Sequence, residues 1–157
     1  MLSEECVREL RSCWLPNVSD TGLDRLIDML EKGSPLLVHG CFTRAVPMGC
    51  LATHIAWNHP QTAHLHLDAG ISWLYRVANL NPATSLVIRE WDNRGSQNWD
   101  VRSDLLAEFL HERERRKNAG QIESRLDAFA GADDKKAPPG FEPGMADLQS
   151  AAVISQV

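Results

Sequence analysis

Apolar residues recur at helical spacing from the start of the chain. Cys6, Leu10, Cys13 and Trp14 fall at i, i+4, i+7 and i+8, one stripe of a helix over residues 3–14. Ser3 is placed to cap it, Glu4 and Glu5 suit the positive end of its dipole, and Pro16-Asn17 ends it. A second helix is expected over 21–32, with Leu23, Leu26, Ile27 and Leu30 as its buried face. Thr21 and Asp24 have the spacing of a capping box, Gly33 suits the left-handed residue after the last turn, and Ser34-Pro35 prevents continuation. Two amphipathic helices so close in sequence predict a helical hairpin.

The pattern is less regular beyond Pro35. Leu36-Leu37-Val38 reads as a short strand or a buried helical turn, a run too short for its period to decide. Pro47 fits the first position of a third helix reaching Trp57, and Asn58-His59-Pro60 stops it. From His64 to Asp68 polar and apolar residues alternate as in a strand. Leu67, Ile71, Leu74, Tyr75 and Ala78, however, form a helical stripe that predicts a helix over about 67–80 with that stripe inward. Asn81-Pro82 is a cap followed by a first-position proline, which predicts a helix over 82–92. After a loop at Gly95-Ser96, the last core helix runs over 99–117. Val101, Leu105, Leu106, Phe109 and Leu110 face inward and the charged stretch His111–Lys117 projects.

The fold class that follows is mainly α, a compact bundle of five to six short helices within residues 1–118. Residues 119–157 read as a flexible tail, with room for one short helix near 121–129 lined by Ile122, Leu126 and Phe129. Residues 131–144 hold three glycines, three prolines and five charges, a composition that cannot bury enough to offset its ordering entropy. The stretch PPGFEPGMADLQSA, residues 138–151, resembles the translation of a tRNA gene. The T-arm sequence GGx-TTC-GAA-CCx encodes Gly-Phe-Glu-Pro, as at residues 140–143. That resemblance implies a bacterial gene ending beside or across a tRNA gene, and it carries no information on residues 1–118.

Charge and cysteine content narrow the function classes. The net charge is −5, with fifteen acids and thirteen bases in residues 1–118 and six and three in the remainder. Neither part is basic, so electrostatic attraction to nucleic acid is missing. Charged residues from Glu4 to Arg11 interrupt any signal-peptide core, and no run approaches the roughly twenty apolar residues that span a bilayer. A cytoplasmic location is expected, with Cys6, Cys13, Cys41 and Cys50 as free thiols or ligands.

Candidate chemistry gathers in one place. Five of the six histidines and two cysteines lie between residues 39 and 66, and imidazole and thiolate are the ligands zinc prefers. Cys50 and His54 are four apart on the expected third helix and so share a face, which favours the upstream residues as further ligands. The best-shaped zinc site is therefore His39, Cys41, Cys50 and His54. His64-Leu-His66-Leu-Asp68 has part of the HxHxDH run of metallo-β-lactamase-like hydrolases, but lacks the final histidine and the β-rich surroundings, which excludes that family. Cys50 in the first turn of a helix opened by Pro47 would also suit a reactive thiolate with His54 as its base, against the plain reading of both as core residues. Helix 47–57, the turn at Pro60 and a segment opening Gln61-Thr62 have the layout of a helix-turn-helix, yet Arg44 and Arg76 are too few to anchor phosphates. The five tryptophans are spread along the chain as core residues, apart from Trp99, which suits an exposed anchor. The leading expectation is a non-catalytic helical interaction or regulatory module that binds a protein partner or itself. No cofactor is expected, although zinc fits the cluster. The alternatives are a zinc-binding protein or zinc hydrolase that uses the His/Cys cluster of residues 39–66, and a helix-turn-helix DNA-binding protein.

Overall fold

The computed structural model of the protein describes residues 1–95 and 98–136, with side chains through Leu126. It is mainly helical, and the chain divides into two units, Met1–Arg115 and the residues from Arg116 onward. The first unit is a compact helical bundle. Helix α1, Glu4–Glu9, is capped by Ser3, whose hydroxyl accepts from the Cys6 amide at 3.1 Å. It widens without a break into a π-helical turn over Leu10–Trp14 and tightens into a 3-10 turn over Leu15–Asn17. Cys6, Leu10 and Trp14 of the expected stripe are buried, and Cys13 is half-buried.

Helix α2, Asp20–Lys32, begins one residue before the expected position because Ser19, not Thr21, caps it. The Ser19 hydroxyl accepts from the Gly22 amide at 3.0 Å and donates to the Asn58 carbonyl at 2.5 Å, joining the start of α2 to the end of α3 (Leu51–Trp57). Leu23, Leu26, Ile27 and Leu30 are buried as the spacing predicts, and Gly33 closes the helix in the left-handed region at φ 63°.

The next segment departs from the sequence reading. Pro47 does not open a helix. It lies in the turn between two short antiparallel strands, β1 (Thr43–Ala45) and β2 (Met48–Gly49), after a cis Val46–Pro47 bond. Leu37 adds a parallel bridge to Gly49. The backbone amides explain why helix formation waits until Leu51. Gly49 donates to the Leu36 carbonyl at 3.0 Å and Cys50 to the Phe42 carbonyl at 2.9 Å, so both residues are held extended. Cys50 is consequently the residue that precedes α3, in the β region, and not a first-turn residue.

Helix α4, Ala69–Arg76, packs on α3 through the close approach of Gly70 to Thr53. Residues 61–68 are turns, shorter in helix than the 67–80 span expected. The helix expected from Pro82 starts later, as α5 (Leu86–Glu90), and runs into a π-helical turn over Trp91–Gly95. Asn81 forms a turn of its own: its side chain accepts from Ala83 and its carbonyl from Thr84 and Ser85. Ser85 then caps α5. Ser96 of the expected loop lies outside the described residues.

Helix α6 spans Trp99–Lys136. Val101, Leu105 and Phe109 are fully buried, and Leu106 and Leu110 are half-buried against them. Within the first unit Arg11 grips Glu108 through two 2.8 Å bonds, and the Leu2 amide donates to Asp104 at 2.9 Å. Residues 119–136, assigned by the sequence to a tail with a short helix at 121–129, continue α6. No proline interrupts 99–136, and most residues there are good helix formers. In the second unit Ile122 and Leu126 are exposed. The Phe129 side chain and residues 137–157, which include the rest of the expected tail, lie outside the described residues.

Candidate functional site

The His/Cys cluster is built on the β-hairpin and α3. Six consecutive residues of α3, Leu51–Ala56, are buried, so His54 enters the core whichever way its helix is turned. Its Nε2 lies 2.8 Å from the Leu36 carbonyl, and its ring meets Trp57 edge-on at 5.3 Å. Burial holds the imidazole below its ordinary pKa, against the opposing pull of the Leu36 carbonyl. Cys50 is buried with its Sγ 3.7 Å from the Thr53 hydroxyl, and burial pushes its thiol up to about 11. That shift runs opposite to what a nucleophile needs at neutral pH, because the thiolate is the reactive form. His39 and Cys41 are half-buried in the segment that precedes β1. Backbone pairing brings their segment to the start of α3. Nevertheless, among the described residues no three His, Cys, Asp or Glu side chains are grouped to hold a metal ion. The hydrogen bonds of this region are instead internal: Thr53 donates to the Phe42 carbonyl at 2.7 Å, and the Trp91 indole to the Val38 carbonyl at 2.7 Å.

His64 and His66 are exposed in the turns before α4. Gln61 and Thr62 lie in the same turns and not on a helix. Thr62 is buried with its hydroxyl donated to the Ala56 carbonyl at 2.7 Å, so that side chain is already committed to the protein interior.

A second region stands out for the opposite reason. α4 is apolar around most of its circumference. Ala69, Gly70, Trp73 and Leu74 form its buried side, where Trp73 meets Trp14 at 5.3 Å. The sequence stripe places Leu67, Ile71 and Tyr75 on that side together with Leu74 and Ala78. Leu74 and Ala78 are buried, but Leu67 is 62% exposed, Ile71 41% and Tyr75 65%. Ile71 and Tyr75, four apart, therefore face outward on α4, and Leu67 is exposed in the turn two residues before it. The missed signal was Ala69-Gly70: a Cβ on Gly70 would lie 2.5 Å from the Thr53 hydroxyl oxygen, so only glycine lets α4 approach α3 by that side. Once that side is inward, Ile71 and Tyr75 are turned out. Trp99, expected as an exposed anchor, is 75% exposed at the start of α6. Among the described residues no helix is long and apolar enough to cross a membrane.

Comparison with protein-family models, with curated proteins and with solved structures finds no match to this chain.

Proposed function

We infer that this protein is a non-catalytic helical module that recognises another protein chain through the outward face of α4. The observation that carries this reading is the exposure of Ile71 and Tyr75, four apart on a helix whose other side already fills the core, with Leu67 exposed in the turn just before it. Covering such surface is favourable by about 25 cal/mol per Å² of apolar area. Tyr75 adds a side chain type that is enriched among the anchors of protein interfaces. The His/Cys cluster lends itself less to chemistry, since its two most buried members are held in hydrogen bonds inside the fold and the Cys50 thiol is pushed up.

The test is a photo-reactive phenylalanine analogue in place of Tyr75, with irradiation in the protein's native cells. A discrete crosslinked species is expected from position 75 and not from a control position at the exposed Arg89. Equal background from both positions would overturn the reading.

A further inference from the structure

We propose that the chain covering the α4 face is a second copy of this protein, packed α4 against α4 in antiparallel fashion about a two-fold axis near Ile71 and Ser72. The proposal rests on the reading of α4 as an interaction surface and names its partner. Ile71 and Tyr75 are four positions apart on α4, the spacing of the ridges that interlock when helices pack, and Leu67 stands exposed in the turn before the helix. In a two-fold pair, Leu67 meets the partner's Tyr75, Tyr75 meets the partner's Leu67, and Ile71 lies beside its own copy. Ser72, half-buried and small, leaves room at the crossing point.

The charges at the two ends decide for a copy of the same chain and for the antiparallel sense. Asp68 precedes the first turn of α4 and makes no capping hydrogen bond with its side chain, and Arg76 is the last residue of the helix. Both are exposed, and among the described residues neither takes part in an ion pair. They are eight residues apart, about 12 Å along the helix. A two-fold axis midway between them sets each Asp68 against the partner's Arg76 twice over. Parallel packing would instead set like charges together. The helix dipoles also oppose one another in the antiparallel pair. One surface thus carries both halves of its own complement, which an isologous interface requires and a site for an unrelated chain does not.

Sedimentation equilibrium of the full chain at low salt tests this. A species of two 17.5 kDa chains is expected. Asp68→Arg and Arg76→Asp, both exposed and remote from the core, should each weaken self-association by about tenfold or more, because each sets like charges face to face. Mixing the two variants in equal amounts should restore association, since every facing pair is then of opposite sign, and the double variant should self-associate again. Cooperative melting of the single variants, with the helical circular dichroism of the parent, would show that they fold. Ile71→Glu, which removes the centre of the apolar face, should give a monomer. A monomeric wild-type chain at high micromolar concentration would overturn the proposal. So would single reversals without effect, or a mixture that stays monomeric. The crosslink from position 75 separates the two conclusions. An adduct of twice the chain mass supports both. An adduct of another mass keeps the interaction module and overturns the two-fold pair. No adduct above background overturns the module as well.

Discussion

Glu9 shows how one side chain joins segments far apart in sequence. Its Oε1 accepts from the Ser85 hydroxyl at 2.5 Å and the Trp14 indole at 3.0 Å, and its Oε2 accepts from the Leu86 amide at 2.7 Å. A carboxylate thereby sits at the start of α5, where free amides and the helix dipole favour a negative charge. Glu9→Ala strands these donors, and chemical denaturation should show a loss of about 2–3 kcal/mol. A loss within error would mean that water replaces the carboxylate without penalty. The thiols provide a second measurement. Cys13 and Cys41 are half-buried, whereas Cys6 and Cys50 are buried, and burial pushes their thiols up to about 12 and about 11. An alkylating reagent at pH 8 should modify Cys13 and Cys41 in the native protein and reach Cys6 and Cys50 only on unfolding, as peptide mass mapping would read out. Preferential modification of Cys50 would revive it as a nucleophile. Sequence spacing could place Cys50 beside His54, but not reveal that Leu36 and Thr53 would take up their polar atoms, because those partners are chosen by the hairpin.

At the scale of elements, legibility followed how much of each helix's stability is local. α2 has an amphipathic face and a terminal glycine that are both in place, while its cap is Ser19, two residues before the Thr21 that the spacing suggested. The third helix was misplaced by four residues because Pro47 suits a helix start and a turn equally well, and the strand partners of Gly49 and Cys50 lie more than six residues upstream. For α4 the stripe was legible and its direction was not. Both sides of the helix are apolar, so the period alone leaves two orientations, and the absence of a side chain at Gly70 selects one. Gly70→Ala should therefore drive α3 and α4 apart, since the added methyl would lie 2.5 Å from the Thr53 hydroxyl oxygen and 2.9 Å from its amide nitrogen. The expected destabilisation is about 1–3 kcal/mol, the range for overpacked cores. A variant as stable as the parent, by thermal melting, would show that the interface is slack.

For the bundle of Met1–Arg115 as a whole, stability should depend on acid through His54. Burial lowers its pKa in the folded state from 6.5, so the unfolded chain takes up the proton first as pH falls. The stability associated with neutral His54 is full above about 6.5 and is lost as pH falls through the folded value. His59 shifts in the same direction, also by burial. The melting temperature should drop on going from pH 7 to pH 5, and His54→Gln should flatten that drop. An identical slope in the variant would remove His54 as its source. Metal content is a second property of this unit. A core of this size buries enough apolar surface to fold without a metal, and His54 already has Leu36 as a partner. Protein purified without added metal should carry far less than one zinc per chain by elemental analysis, with a chelator leaving the melting curve unchanged. Stoichiometric zinc, lost together with stability on Cys50→Ser, would restore His39, Cys41, Cys50 and His54 as a site.

The amino-acid sequence by itself determined the helical class and the buried faces of α1, α2 and the start of α6. These depend on residues within a few turns of one another, or on composition, and are written in spacing. Tertiary structure decided where the helices of the middle third begin, which polar partners Cys50 and His54 take, and which side of α4 meets solvent. Each of those outcomes is a choice between locally equivalent options. The contact that makes the choice, whether Leu36 to Gly49, Glu9 to Leu86 or Gly70 to Thr53, comes from another part of the chain.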